Sequence, residues 1–322
     1  MKVFFSKPYR WAIVLSMILT VFSVYVLLDT FVIPKDVTQI QTEGSTGGKN
    51  SSAGDQTANQ SSNQSSGQTP DEASGQSDPI ITDSTYHDDN ITITIDTVRE
   101  YDTTFYVADI QVTDPEYLKT ALAENTFGRN IKETTSEMAA DHNAILAING
   151  DYYGFRNTGY VLRNGVLYRE TTDGSTDNED LVIDDDGDFS IVNENEVSAQ
   201  SLSEGVWQIF SFGPALIEDG NIAVTASSEV SQSKSSNPRT AIGQVSGLHY
   251  IIIVSDGRTS ESEGLSLLEM AQEFAERDCT VAYNLDGGGS STMVFNGEVV
   301  NNPTNGRSMQ EREVSDIVYI GY

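Results

Sequence analysis

Cysteine is nearly absent from this 322-residue chain, where Cys279 stands alone. No intramolecular disulfide can form, and the Cys/His spacings of zinc sites are missing. Cys279 opens an apolar run, where a free thiol packs as a small hydrophobe. Histidine is scarce too. His87, His142 and His249 lie far apart, and none has a motif partner that would make it a catalytic base. Basic residues are the third shortage. The 18 Lys and Arg stand against 48 Asp and Glu, a formal net charge of −30. That balance excludes a nucleic-acid-binding surface, which needs clustered Lys and Arg. It also means that an anionic substrate has to be drawn in by a local basic site, against the overall field.

What is present begins with an apolar stretch, Trp11 to Leu28, interrupted only by Ser16, Thr20 and Ser23. It is long enough to span a bilayer core as a helix. Lys2, Lys7 and Arg10 precede it and Asp29 follows, which keeps the N-terminus inside and sends the rest of the chain out. Leu27 to Ile33 offers no small-x-small cleavage site, which favours an uncleaved anchor over a signal peptide. Residues 1–35 are therefore expected to be a cytoplasmic stub and a single-pass signal anchor in the cell membrane. Residues 36–85 turn to Ser, Gly, Gln, Thr and Asn, a composition that cannot offset its ordering entropy. They are expected to be a disordered polar linker with a reach of about 35 Å.

Residues 86–322 carry the periodicities of one extracellular domain. Ile91–Asp96 and Thr104–Val112 alternate apolar and polar residues, which predicts a hairpin. Asp114-Pro115-Glu116 opens a short helix, and a second is expected over Ile131–His142. Asn164-Gly165 centres another hairpin, and so do the acids between Leu181 and Val192. That acid run lacks the sixth-position Gly and twelfth-position Glu of an EF-hand, so it reads as a solvated turn. The apolar strand Leu248–Val254 ends in Ser255-Asp256-Gly257-Arg258. A helix with a Ser266/Glu269 capping box follows, and then a strand through Tyr283. If those two strands are parallel neighbours, the crossover brings Asp256 and Asp286 to one edge. A hairpin at Val294–Val300 and a last strand at Ile317–Ile320 complete the domain. The expected fold is α+β: a mixed, largely antiparallel sheet with a few packed helices and one helix crossover, after an N-terminal transmembrane helix.

The most unusual stretch is Asn284-Leu285-Asp286-Gly287-Gly288-Gly289-Ser290-Ser291. Three adjacent glycines are costly to order, so a chain keeps them where φ is positive or where something approaches closely. Their N–H groups, with the Ser290 and Ser291 hydroxyls, would line an anion-binding concavity with Asp286 at its mouth. The rival reading is a bare turn. Two other polar strand ends stand out, Asn149-Gly150-Asp151 and Pro238-Arg239-Thr240, and Arg239 is placed to fork onto a phosphate.

Taken in order, Asn149-Gly150-Asp151-Tyr152-Tyr153, Phe212-Gly213-Pro214-Ala215-Leu216, Pro238-Arg239-Thr240-Ala241, Asp256-Gly257-Arg258 and Asn284 to Ser291 resemble the motifs of the phosphodiester glycosidase family. The tail Asn301-Asn302-Pro303 with Glu311 to Asp316 resembles that family's C-terminal pattern. The resemblance extends from about Ile91 to Tyr322. It implies hydrolysis of the C1–O bond of a sugar-1-phosphodiester, and with the expected anchor the leading expectation is a sugar phosphate of a cell-surface glycan. A phosphomonoester, with a second pKa of about 6, leaves readily. The reaction then needs positive charge on the departing phosphate and a carboxylate facing the oxocarbenium-like carbon. The expected catalytic set is Asp286, Asp151, Asp256 and Arg239. The expected substrate-binding set is Asn149, Thr240, Arg258, Asn284, Gly287, Gly288, Gly289, Ser290 and Ser291.

Two alternatives stay open. One is a metal-dependent phosphodiesterase, with Asp151, Asp256 and Asp286 on a divalent cation. The other is a non-catalytic surface protein that binds exopolysaccharide. The expected partners are a phosphorylated glycan and, through the N-terminal helix, the membrane.

Overall fold

The computed structural model describes residues 8–36, 78–172, 174, 178–228 and 236–322. Most of the expected linker lies outside the described residues. Helix α1, Pro8–Phe31, contains a span of mean hydropathy 2.4 with none of it buried against the rest of the chain. Its length and apolarity are those that a bilayer crossing requires.

The domain is α+β and built from antiparallel pairings. Its largest sheet has nine strands, and it begins at Ile80, earlier than residue 86. The order across it runs from Asn221–Ile222 through Ala215–Glu218, Val281–Asn284, Thr240–Ser246 and His249–Ser255 to Thr103–Val112 and Ile91–Glu100. Thr85–His87 and Ile80–Ile81 finish the far edge. The expected hairpin of Ile91–Glu100 with Thr103–Val112 pairs in full register from Ile91↔Val112 to Glu100↔Thr103. A second sheet has five strands, with Leu146–Asn149 and Asp316–Ile320 at its centre. A third, also of five, holds both hairpins predicted at Asn164-Gly165 and at the acidic turn.

One core joins all three sheets. Ile93, Ile110, Ile252 and Tyr283 meet Leu146, Ile148 and Val318 from the second sheet and Leu181, Ile183 and Phe210 from the third. The opposite face of the large sheet is covered by helix α3, Leu267–Ala275, whose Leu267, Met270, Ala271 and Phe274 pack on Phe105, Ile251 and Ile253. The strand His249–Ser255 is thus buried on both faces, which is why it reads as an unbroken apolar run. Gly243 is required here, because a Cβ would stand 2.8 Å from the Phe274 ring.

Two expectations change in detail. The second helix, α2, spans Thr135–Asp141 rather than Ile131–His142. Its capping box is Thr134 with Glu137, and Glu133 pairs as an extended residue with Val314. The strands on either side of α3 are not neighbours. Both pair antiparallel with Thr240–Ser246, which lies between them. They therefore run parallel to each other with one strand interposed. That arrangement still delivers Asp256, Asp286 and the start of the middle strand, Arg239-Thr240, to a single sheet edge.

Candidate active site

A cavity of about 340 Å³ opens at this edge, lined by Phe212–Pro214, Asn237–Arg239, Arg258, Leu267 and Asn284–Gly288. Asp286 is its one carboxylate among the described residues. Its main chain is fixed by Asn149, whose Nδ2 donates to the Asp286 carbonyl at 2.6 Å. Asn149 Oδ1 accepts from Thr240 Oγ1 at 2.7 Å and from the Thr292 N–H at 3.3 Å. Asn149 and Thr240 are fully buried, and their hydrogen bond stitches the second sheet to the first. Asn284 lines the pocket but spends its Nδ2 on the Gly213 carbonyl, at 2.8 Å.

The glycines do something other than bare their amides. Gly288 N–H donates to the Pro238 carbonyl, while the Ser290 and Ser291 amides turn back onto Gly287 and Gly288. Gly287 N–H donates to Asp286 Oδ1 at 2.9 Å and orients the carboxylate. Ser291 is fully buried and outside the cavity wall. The amides of the expected cradle are therefore largely used within the loop. Close approach explains the glycines instead. A Cβ on Gly288, which has φ +65°, would stand 2.7 Å from an Arg258 guanidinium nitrogen. One on Gly289 would stand 2.5 Å from a nitrogen of Arg312. Two guanidiniums thus close over the loop, and the positive charge expected of the amides comes from side chains.

Arg239 also lines the cavity, held by its Nε on the Leu265 carbonyl at 2.6 Å and its amide on Ser255 Oγ at 2.9 Å. Burial lowers the Arg258 pKa, and the like charge of Arg312 lowers it further, against the pull of Asp286. An anion between the two guanidiniums would relieve that repulsion. Burial pushes Asp286 up to about 6, opposed by a Ser290 hydrogen bond, Arg312 and the Gly287 amide. Tyr152, 38% exposed, stands close enough for the Asp286 charge to raise its own pKa, after burial.

The other two acids are committed elsewhere. Asp256 accepts from the Asn302 amide at 2.7 Å and from its Nδ2 at 2.9 Å, and so clamps the C-terminal tail. Next to it Asn301 accepts from Met293 N–H at 2.8 Å and donates to the Ser291 carbonyl at 3.0 Å, bracing the glycine loop from behind. Asp151 accepts from Tyr153 N–H at 2.8 Å, Ser211 N–H at 3.3 Å and Arg163 at 2.9 Å. The same guanidinium reaches Asp316 at 2.9 Å. Arg163 also donates to the Leu162 and Ile209 carbonyls and lies 4.4 Å from the Phe210 ring centre. Burial alone would raise Asp151, but Arg163 and Arg156 hold it below its usual value. Burial and the adjacent Asp151 charge raise Asp316 against the same arginine. This Asp151–Arg163–Asp316 unit ties the second sheet to the third. Among the described residues no group of three His, Cys, Asp or Glu is arranged to hold a metal ion. The three acids proposed for a cation thus serve three separate tasks.

Sequence reading missed Arg312, Arg163 and Asp316. Arg312 and Asp316 lie within the tail pattern, which carried no assigned role. Arg163 sits in a hairpin, with no local signal of its burial.

A model of the phosphodiester glycosidase family matches residues 142–321, and the chain belongs to that family. It is 32% identical over 195 residues to human N-acetylglucosamine-1-phosphodiester alpha-N-acetylglucosaminidase, covering 54% of this chain and 36% of that one. It is 35% identical over 202 residues to the SPbeta prophage-derived uncharacterized protein YomE of Bacillus subtilis, covering 61% of this chain and 31% of that one. The chain thus spans about a third of the length of these relatives. The catalytic domain of the zebrafish N-acetylglucosamine-1-phosphodiester alpha-N-acetylglucosaminidase, auto-inhibited by its pro-peptide, shares the fold. There the TM-score is 0.57 at 21% identity, over 72% of this chain and 83% of that one.

Proposed function

We propose that the protein is a membrane-anchored extracellular hydrolase. It cleaves the C1–O bond of a sugar-1-phosphodiester, with N-acetylglucosamine as the first sugar to test, in a cell-surface glycan. The observation that carries this reading is one cavity holding a single carboxylate, Asp286, together with Arg239 and Arg258, with Arg312 beside them. In a chain of net charge −30 this is the local basic site that a phosphodiester needs. The guanidiniums take the phosphate and stabilise the charge that grows on it as C1–O breaks. The phosphate leaves as an anion, so no acid has to protonate it. One ionised carboxylate facing C1, as nucleophile or as base for water, is enough. Anchoring rests on α1, and the outward orientation on the basic residues before it.

The test is release of free N-acetylglucosamine from an α-linked N-acetylglucosamine-1-phosphodiester by the full chain in detergent. Asp286 works ionised, so kcat/KM should rise with pH through about 6 and flatten above it. Turnover that falls as pH rises through that range would assign the working form to protonated Asp286 and contradict the scheme. No turnover by folded protein would contradict the function itself.

A further inference from the structure

We infer that a second cavity, on the far side of the Phe212–Pro214 turn, is a subsite for a neutral sugar residue adjoining the one whose bond is cut. This rests on the glycosidase reading above. The cavity is about 540 Å³ and shares Phe212, Gly213 and Pro214 with the Asp286 pocket, so the two adjoin at that turn. Its size falls in the range of small-molecule sites.

Two of its wall residues carry buried polar atoms with no hydrogen-bond partner: Oδ2 of Asp180, and Nε and one terminal nitrogen of Arg156. Asp180 is only 1% exposed. Leaving such groups unmet is costly, more so when they are charged, and a bound species that meets them accounts for their being kept. The neighbouring acids are already spoken for. Glu194 accepts from Tyr160 N–H at 3.2 Å, and Glu179 accepts from Ala215 N–H at 3.2 Å. The unmet groups are one carboxyl and one guanidinium, close enough that the Arg156 charge acts on Asp180.

The chemistry selects a hydroxyl-rich neutral ring. A sugar hydroxyl both donates and accepts, so neighbouring hydroxyls can satisfy Asp180 and Arg156 together. A phosphate would face Glu179 and Glu194 with one arginine to answer them. A metal ion would lack its ligand group among the described residues. Burial also pushes Asp180 up to about 8, so at neutral pH it presents a neutral carboxyl that both donates and accepts. Phe212, half-buried between the two cavities, gives the ring an apolar face.

The test is direct binding of a phosphate-free sugar to the full chain in detergent, by calorimetry with N,N′-diacetylchitobiose. Maltose, inorganic phosphate and calcium run in parallel. Saturable binding of a disaccharide is expected. Asp180→Ala and Arg156→Ala should each weaken it about tenfold or more, and Asp180→Asn, which keeps donor and acceptor, should restore most of it. Should Asp180→Ala lose its fold, Arg156→Ala carries the same expectation. The inference is overturned if neither disaccharide binds. It is equally overturned if folded Ala variants bind like the parent, or if phosphate or calcium binds there instead. Sugar binding that depends on Asp180 without any turnover would sink the hydrolase reading and leave the subsite standing. Turnover without sugar binding would do the reverse.

Discussion

Replacing Asp286 with Asn is expected to lower kcat by about 10²–10⁴-fold, the range of a positioned acid–base group or electrostatic stabiliser. The fold should be untouched. The amide keeps an oxygen for the Gly287 N–H, and the backbone clamp from Asn149 does not involve the side chain. The stability effect has a definite sign. The folded-state pKa of Asp286, about 6, lies above the ordinary carboxylate value. Stability is therefore lost as pH rises through that window, and the ionised group is a cost at neutral pH. Asp286→Asn should melt at or above the parent temperature at pH 7.5 while being nearly inactive. Thermal denaturation and initial rates on one sample check both halves. A variant with parental activity would remove Asp286 from the chemistry.

Arg163→Met is expected to damage the fold rather than the chemistry. It strips the guanidinium from between Asp151 and Asp316, two carboxyls with side chains 0% exposed. Breaking a buried pair from one side costs about 3–5 kcal/mol, because a charge is left without its partner. For a domain of this size that is a melting-temperature drop of roughly 6–20 °C. Adding Asp151→Asn and Asp316→Asn to the same chain should recover part of the loss, since the stranded charges are gone. A change of less than about 2 °C in the single variant would mean that the guanidinium is not the clamp described here.

The sequence made much of this scaffold legible because its signals are local. Alternation over Ile91–Val112, the Asn164-Gly165 turn and the Ser266/Glu269 capping box each depend on a few adjacent residues, and each stands as read. The start of α2 was also written locally, in the Thr134/Glu137 box, but the apolar Ile131 upstream masks it. What stayed hidden is set by long-range contact. Arg163 looks like a hairpin residue until Asp316, 153 positions away, and Asp151 close around it. The glycine loop is unusual for the reasons its sequence suggests, a positive φ at Gly288 and close approach, but the sequence does not say what approaches. Its amides are mostly used internally, and the space its missing side chains leave is filled by Arg258 and Arg312. Only the fold shows that Asp151 and Asp256, each at the end of a strand like Asp286, are already engaged by Arg163 and Asn302.

The central claim is that this site breaks the bond between sugar and oxygen and leaves phosphorus untouched. Hydrolysis in water enriched with the heavy oxygen isotope tests it most directly, with mass spectrometry of both products. The account predicts label in the released sugar and none in the phosphate. Label in the phosphate would contradict it.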